Sequence, residues 1–300
     1  MPEHGLEWLQ RKELMTYEEM MRLCSLLVSM GINKIRITGG EPFVRKDIMK
    51  FLTSLSLLRG LDQLSITTNG VLTAPYVPAL KKLGINGVNL SLDTLDRDRF
   101  FSISRRDELG QVLLTLDELL RNEMDVRINT VVMEGKNIGD ILPMVELTKD
   151  QPVTVRFIEE MPFNGEGDKI MHYWDHVRIL ELIRERYPLI KKIQDPPNST
   201  AYNYHIPGHK GNIGIIAAYT RSFCGTCNRI RITPQGILKT CLYDYGVMNI
   251  KDLLRKGLSD VEIERQLVSA IHKRAKDGWE AERLRDSLSP VHESMATIGG

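Results

Sequence analysis

From Thr16 onward the chain alternates between two hydrophobic periods. Thr16-Tyr-Glu-Glu19 has the form of a capping box, and Met20, Leu23, Cys24, Leu27 and Val28 follow at helical spacing until Gly31. Amphipathic stretches of the same kind occupy Asp47–Leu58, Glu108–Glu123 and Ile138–Lys149. Between them lie short apolar runs that read as strands: Lys34–Thr38, Gln63–Thr67, Gly87–Leu92, Val126–Val132 and Val153–Ile158. Their starts fall 24 to 39 residues apart, room for a strand, a crossover helix and two loops. The pattern predicts an α/β fold with a parallel sheet covered by helices.

Each apolar run ends in polar or glycine-rich residues: Thr38-Gly39-Gly40-Glu41-Pro42, Thr67-Thr68-Asn69-Gly70, Ser91-Leu92-Asp93, Asn129-Thr130 and Glu159-Glu160-Met161-Pro162. Parallel strands gather such ends on one side, where ligands bind in barrels and in open doubly wound sheets alike. No G-x-G-x-x-G follows the first strand, which argues against a dinucleotide fold. The Asp195-Pro196-Pro197-Asn198 cluster marks a break, so the expected division is 1–195 and 196–300. Beyond it the pattern changes to short β segments, Tyr202–Ile206, Ile213–Tyr219, Asn228–Thr233 and Ile237–Thr240. Pro234-Gln235-Gly236 turns the last two into a hairpin, a helix follows the box Ser259-Asp-Val-Glu262, and Trp279 to Gly300 shows no period.

Composition narrows the function classes. A content of 42% hydrophobic and 26% charged residues describes a globular chain, and a net charge of +1 excludes nucleic-acid or membrane binding through an overall basic field. No run reaches the roughly 18–20 apolar residues of a membrane span, and the acidic residues among the first thirty exclude a signal peptide, so a cytoplasmic location is expected. Four cysteines are too few for a disulfide scaffold, and three of them fall within eighteen residues. Cys24 lies on an apolar helical stripe and reads as a core thiol.

Cys224-Gly-Thr-Cys227 followed by Cys241 supplies three soft ligands suited to zinc or to an iron–sulfur cluster. Spacing alone leaves both open, with His205 or His209 as the fourth ligand of a Cys₃His zinc site. Between the cysteines runs Asn228-Arg229-Ile230-Arg231-Ile232-Thr233. On a strand Arg229 and Arg231 would share a face and form a forked phosphate receptor, or else stand solvated on an edge. Thr38-Gly39-Gly40-Glu41 lacks the lysine of a phosphate loop; its glycines would admit a ligand closely, and Glu41 would accept from an amine.

Taken together these residues resemble the radical S-adenosylmethionine GTP 3′,8-cyclases of molybdenum cofactor biosynthesis. Ile35-Arg-Ile-Thr-Gly-Gly-Glu-Pro42 resembles the family's Gly-Gly-Glu motif, and Met1-Pro-Glu-His-Gly5 the residues following its first cluster motif. Cys224 to Cys241 with the intervening Asn-Arg-Ile-Arg resembles its second-cluster motif, and Gly299-Gly300 its double-glycine tail. The resemblance implies an incomplete (β/α)6 TIM-type barrel lacking its first strand, with a C-terminal β-rich iron–sulfur domain. It implies that Gly40, Glu41, Ser91 and the main chain of Met161 hold S-adenosylmethionine. Arg36, Thr67, Arg127, Arg156, Arg229, Ile230 and Arg231 would surround GTP, with Arg127 standing where the family usually has lysine. Cys224, Cys227 and Cys241 would ligate a second [4Fe-4S] cluster. The implied reaction is hydrogen abstraction from C3′ of GTP by a 5′-deoxyadenosyl radical, then attack of C3′ on C8 of guanine. Arginines at the triphosphate act by proximity.

Met1 stands where the residue after the family's last first-cluster cysteine would be. Roughly 20–30 residues, about one strand and its loop, are then expected upstream. Read as it stands, the chain is expected to hold one cluster rather than the family's two, to bind GTP and not to cleave S-adenosylmethionine. It would be a truncated cyclase or a catalytically incomplete nucleotide- and cluster-binding relative; a zinc-stabilised interaction module is the reading from another class. The resemblance further implies hand-off to the synthase that makes cyclic pyranopterin monophosphate, and it allows a homodimer.

Overall fold

The computed structural model describes residues 9–85, 87–161 and 174–284. In chain order the helices are α1 (Tyr17–Ser29), α2 (Ile48–Ser56), α3 (Val77–Lys82), α4 (Arg97–Ser104), α5 (Leu109–Arg121), α6 (Ile141–Asp150), α7 (His176–Arg186), α8 (Ile250–Arg255), α9 (Asp260–His272) and α10 (Gly278–Arg283). The strands are β1 (Lys34–Ile37), β2 (Gln63–Thr68), β3 (Gly87–Ser91), β4 (Asp125–Val132), β5 (Thr154–Glu159), β6 (Lys191–Lys192), β7 (Ala201–His205), β8 (Asn212–Ile216), β9 (Arg231–Ile232), β10 (Ile237–Lys239) and β11 (Met248–Asn249). No described helix is long and apolar enough to cross a membrane. The chain forms two compact units, each discontinuous in sequence: described residues 65–161 and 174–227 make one, 9–64 and 228–284 the other.

The first unit is a sheet in the order β2-β3-β4-β5-β8-β7-β6. β2 to β5 and β8 run parallel, whereas β7 and β6 are antiparallel. Two expectations change here. The sheet is parallel-rich but mixed, and the segments around Tyr202 and Ile213, read as parts of a separate β region, join the main sheet. The six residues 206–211 between β7 and β8 suffice only for an antiparallel return, so β7 pairs back along β8 while β8 extends the parallel set beside β5.

Alternation along these strands divides the sheet into two faces. Ile66, Val88, Leu90, Val126, Ile128, Val155, Phe157, Ile213 and Ile215 are buried on one face. There α5 packs on β4, α6 on β5 and β8, and α7 on β5 and β8. Their apolar stripes supply Val112, Leu116 and Leu119, then Ile141, Met144 and Val145, then Ile179 and Ile183, all buried. Complete burial of each such side chain contributes about 1.5–3 kcal/mol, and this fixes the strand register that orders the other, polar face.

In the second unit Met15, Leu23, Leu26, Leu27, Leu238, Ile250, Leu254, Ile263 and Leu267 form one core. Both expected capping boxes are present: Thr16 Oγ1 accepts from Glu19 N and Glu19 Oε2 from Thr16 N, and Ser259 pairs with Glu262 in the same way. Gly31, at φ +98°, lets the chain reverse so that Ile32 N–H reaches Leu27 O at 3.0 Å. Arg255 donates to the carbonyls of Lys12 and Leu14 and to the carboxylate of Glu19, while Lys251 Nζ donates to Glu13 O at 2.8 Å. These bonds seat the entry to α1 on α8. The hairpin around Pro234-Gln235-Gly236 forms with Leu238 opposite Ile232, and Asp277 caps the short α10 where no period was legible.

Candidate functional site

The polar face of the first unit carries four of the expected ligand residues, Thr67, Ser91, Arg127 and Arg156, in register. One row across the sheet reads Thr67, Asn89, Arg127, Thr154, Asn212; the next reads Ser91, Asn129, Arg156, Gly214, Asn203. Period-two alternation puts these side chains on the face opposite Ile128 and Phe157. Thr67, Ser91, Arg127 and Arg156 therefore share one surface. Asn89 Nδ2 donates to Thr67 Oγ1 at 3.2 Å. Arg127 pairs with Asp125 two residues back on its own strand, so its charge is balanced there. Gly214 leaves space beside Arg156, since a Cβ there would stand 3.1 Å from Arg156 Cγ.

Two residues that the sequence marked only as polar strand ends, with no ligand role, stand at or beside this surface. Asn129 lies between Ser91 and Arg156, and its Oδ1 is out of solvent with no hydrogen-bond partner among the described residues. A buried carbonyl left unpaired costs about 1–3 kcal/mol, so it marks a place where a ligand donor would be accepted. The signal in the sequence was the polar period of two through Asp125, Arg127 and Asn129 on β4. Asp93, just past β3, accepts from Val131 N at 2.8 Å. Burial pushes its carboxyl up to about 6 even though the Val131 N–H works the other way.

After β2 the chain turns through Asn69-Gly70. Gly70 has φ +81°, and a Cβ there would fall 2.6 Å from Leu90 Cδ1. In the second unit, Gly39 at φ +127° ends the segment after β1, and Glu41 Oε1 accepts from Phe43 N at 3.2 Å, capping a 3-10 turn. Arg36 is exposed on β1. Met161 is the last described residue after β5, and it is partly buried. Met1 to Gly5 and Gly299-Gly300 lie outside the described residues.

Cys224 opens a one-turn 3-10 helix that Cys227 closes, its N–H reaching Cys224 O at 3.1 Å. Cys241 sits in a turn built on Asp244, whose Oδ2 accepts from Thr240 N and Cys241 N, both at 2.8 Å. All three thiols are partly exposed, and no disulfide engages them. Burial lifts the Cys24 thiol to about 11, which keeps it protonated and out of metal chemistry. Among the described residues no three His, Cys, Asp or Glu side chains gather tightly enough to hold a single metal ion. His209 Nδ1 is bonded to Thr148 Oγ1 at 2.8 Å and His205 Nδ1 to Asn212 Oδ1 at 3.1 Å. Thiolates are the donors that iron–sulfur clusters take, so the chemistry of these three residues fits such a cluster. The expected shared strand face of Arg229 and Arg231 changes: β9 begins only at Arg231, and Arg229 and Ile230 precede it in irregular chain.

Comparison with known proteins bears on this arrangement. The radical SAM superfamily model matches residues 2–148, and the Molybdenum Cofactor Synthesis C model residues 153–279. GTP 3′,8-cyclase, mitochondrial, of Arabidopsis thaliana is 39% identical over all of this chain and 76% of its own length. GTP 3′,8-cyclase of Chlorobaculum tepidum is 38% identical over 94% of this chain and 84% of its own. Molybdenum cofactor biosynthesis protein 1 of Dictyostelium discoideum is 41% identical over 91% of this chain, which spans only 44% of that longer protein. Among solved structures, Streptococcus suis SuiB bound to S-adenosylmethionine matches with a TM-score of 0.53 at 17% identity, over 83% of this chain and 59% of that one. The last likeness concerns the fold alone. With both halves of the chain matched in this way, it belongs to the radical SAM family of GTP 3′,8-cyclases.

Proposed function

We propose that this chain binds GTP and takes part in its conversion to (8S)-3′,8-cyclo-7,8-dihydroguanosine 5′-triphosphate. The observation that carries the reading is the polar sheet face on which Thr67, Arg127, Arg156 and Ser91 stand together. In this reading residues 1–195 form an incomplete (β/α)6 barrel and residues 196–300 the second-cluster region. Arg36, Arg127, Arg156, Arg229 and Arg231 hold the triphosphate and ribose, with Thr67 and the Ile230 backbone orienting the nucleoside. Gly40, Glu41, Ser91 and Met161 hold S-adenosylmethionine, and Cys224, Cys227 and Cys241 hold a [4Fe-4S] cluster. The chemistry supplied by bound S-adenosylmethionine and its reducing cluster is one-electron cleavage to a hydrogen-abstracting carbon radical. The protein's share is to fix the ribose and shut out water, a proximity effect. The product passes to a cyclic pyranopterin monophosphate synthase in the cytoplasm.

The test is anaerobic reconstitution with iron and sulfide, followed by titration with GTP and ATP. Binding of GTP in clear preference to ATP is expected. A cluster-loaded protein that binds neither nucleotide would reject the reading.

A further inference from the structure

Glu159 is the last residue of β5, and it falls on the apolar face of the strand with Val155 and Phe157. A carboxylate at 2% exposure among such neighbours persists only if its lone pairs are filled. They are filled by two distant stretches of the first unit. Oε1 accepts from His176 N at 2.7 Å and pairs with His176 Nδ1 at 3.1 Å, at the start of α7. Oε2 accepts from Tyr219 N at 2.9 Å and Thr220 N at 2.8 Å, and the Thr220 hydroxyl donates to both oxygens at 3.1 Å.

The second of these stretches leads directly to the cysteine turn. Immediately after Thr220, Arg221 adopts φ +56°, a left-handed conformation uncommon outside glycine that persists where the surroundings hold it. Its N–H reaches Ala217 O at 2.8 Å, and its carbonyl accepts the Cys224 N–H at 3.1 Å. The reversal therefore starts from the two N–H groups gripped by Glu159 and ends at Cys224. On the other side, Glu159 lies two residues before Met161. One buried carboxylate thus joins the strand end carrying Met161 to the turn carrying Cys224 and Cys227.

We propose that Glu159 is a positioning residue for cluster binding: its carboxylate holds Tyr219 and Thr220 so that the Arg221 reversal presents Cys224 and Cys227 as ligands. This rests on the reading of those two cysteines as cluster ligands. It acts through the backbone and touches neither cluster nor substrate. Neutral replacement keeps part of the function, because a glutamine oxygen accepts from one pair of donors while its amide group opposes the other.

The experiment compares wild type, Glu159→Ala, Glu159→Gln and a core control on the same strand, Phe157→Leu, in the full chain. Melting temperature, iron per chain after anaerobic reconstitution, the electron paramagnetic resonance signal of the reduced cluster and the rate of iron loss to a chelator are measured. Iron loss about tenfold faster in Glu159→Ala, the lower end of the effect of residues that orient metal ligands, is expected, with Glu159→Gln between it and wild type. Phe157→Leu should melt lower yet keep its cluster. A folded Glu159→Ala protein with the wild-type signal and iron-loss rate overturns the proposal. If Glu159→Ala does not fold, Thr220→Val, which removes only the hydroxyl bonds, decides: faster iron loss supports the role and an unchanged rate overturns it. If wild type itself takes up no cluster, the functional reading fails separately. Hydrogen exchange of residues 219–224 then tests the latch alone, with lost protection in Glu159→Gln supporting it and retained protection overturning it.

Discussion

Asn129 on β4 and Arg156 on β5 stand directly opposite one another on the polar face of the sheet, and Asn129 Oδ1 is buried without a partner. An unpaired buried acceptor burdens the empty protein and favours the complex that pairs it. Asn129→Leu, close in volume, should leave the melting temperature unchanged or raise it. It should weaken S-adenosylmethionine or GTP by about 0.5–1.5 kcal/mol, the net worth of one hydrogen bond. Calorimetric titration with each ligand and a thermal melt check this; a lower melting temperature with both affinities intact would count against a ligand at Asn129.

Thiol reactivity offers a second check. With the Cys24 thiol at about 11, roughly one molecule in a thousand carries its thiolate at pH 8. Iodoacetamide should modify Cys224, Cys227 and Cys241 in the cluster-free protein and spare Cys24, and cluster loading should protect the first three. Mass spectrometry of the peptides reads the outcome. Equal labelling of all four would show that Cys24 is not the core thiol described here.

Asp93 sets a pH dependence of stability. Its carboxyl, at about 6 in the folded protein, lies above the ordinary aspartate value of 3.8. Between these values the folded state holds a proton that the unfolded state has released, so stability falls as pH rises from about 4 through about 6 and then levels. Two pK units correspond to about 3 kcal/mol at most. Asp93→Asn keeps an oxygen for the Val131 N–H and should raise stability at pH 7.5 while flattening the slope between pH 4 and 6. Denaturation midpoints at pH 4.5 and 7.5 test it, and an unchanged slope would show that Asp93 is not its source.

The arginines near the cysteine motif carry a fourth prediction. Arg229→Ala and Arg231→Ala should each weaken GTP by about 1.5–3 kcal/mol, the scale of a hydrogen bond to a charged group. Unchanged GTP affinity in both variants would remove them from the site.

The sequence made legible whatever local chemistry decides. The boxes at Thr16 and Ser259, the strand starts from Lys34 to Val153 and the turn at Gly236 each rest on a few adjacent residues, and each appears in the structure. What depends on long-range pairing was hidden. Tyr202–Ile206 and Ile213–Tyr219 read as separate β segments because a short strand does not announce its neighbour, and only the pairing of β8 with β5 places them in the main sheet. α3, α4, α8 and α10 span 6 to 8 residues, too short for a helical period to stand out beside strand-like neighbours. Asn129 was visible only as a polar residue near a strand end. Its unpaired oxygen is a property of the packed sheet.

Two glycines near β8 should separate steric support of the fold from steric support of the site. A Cβ on Gly211 would lie 2.1 Å from Val153 O and 2.9 Å from Gln151 O, backbone atoms that accept from Asn212 N at 3.0 Å and Val153 N at 2.9 Å. Nothing there can retreat, so Gly211→Ala should cost about 3 kcal/mol, the upper end of overpacking. Gly214 is the direct cross-strand partner of Arg156, and a Cβ there would meet Arg156 Cγ at 3.1 Å, Ala201 Cβ at 3.3 Å and Asn203 Oδ1 at 3.6 Å. These are side-chain atoms, and the arginine stem can swing aside. Gly214→Ala should therefore fold, losing about 1 kcal/mol or less, while the displaced guanidinium lowers GTP affinity as Arg156→Ala does. The double variant Gly214→Ala/Arg156→Ala should then bind GTP no more weakly than Arg156→Ala alone. Fully additive losses would mean that Gly214 acts on the site by a route other than Arg156.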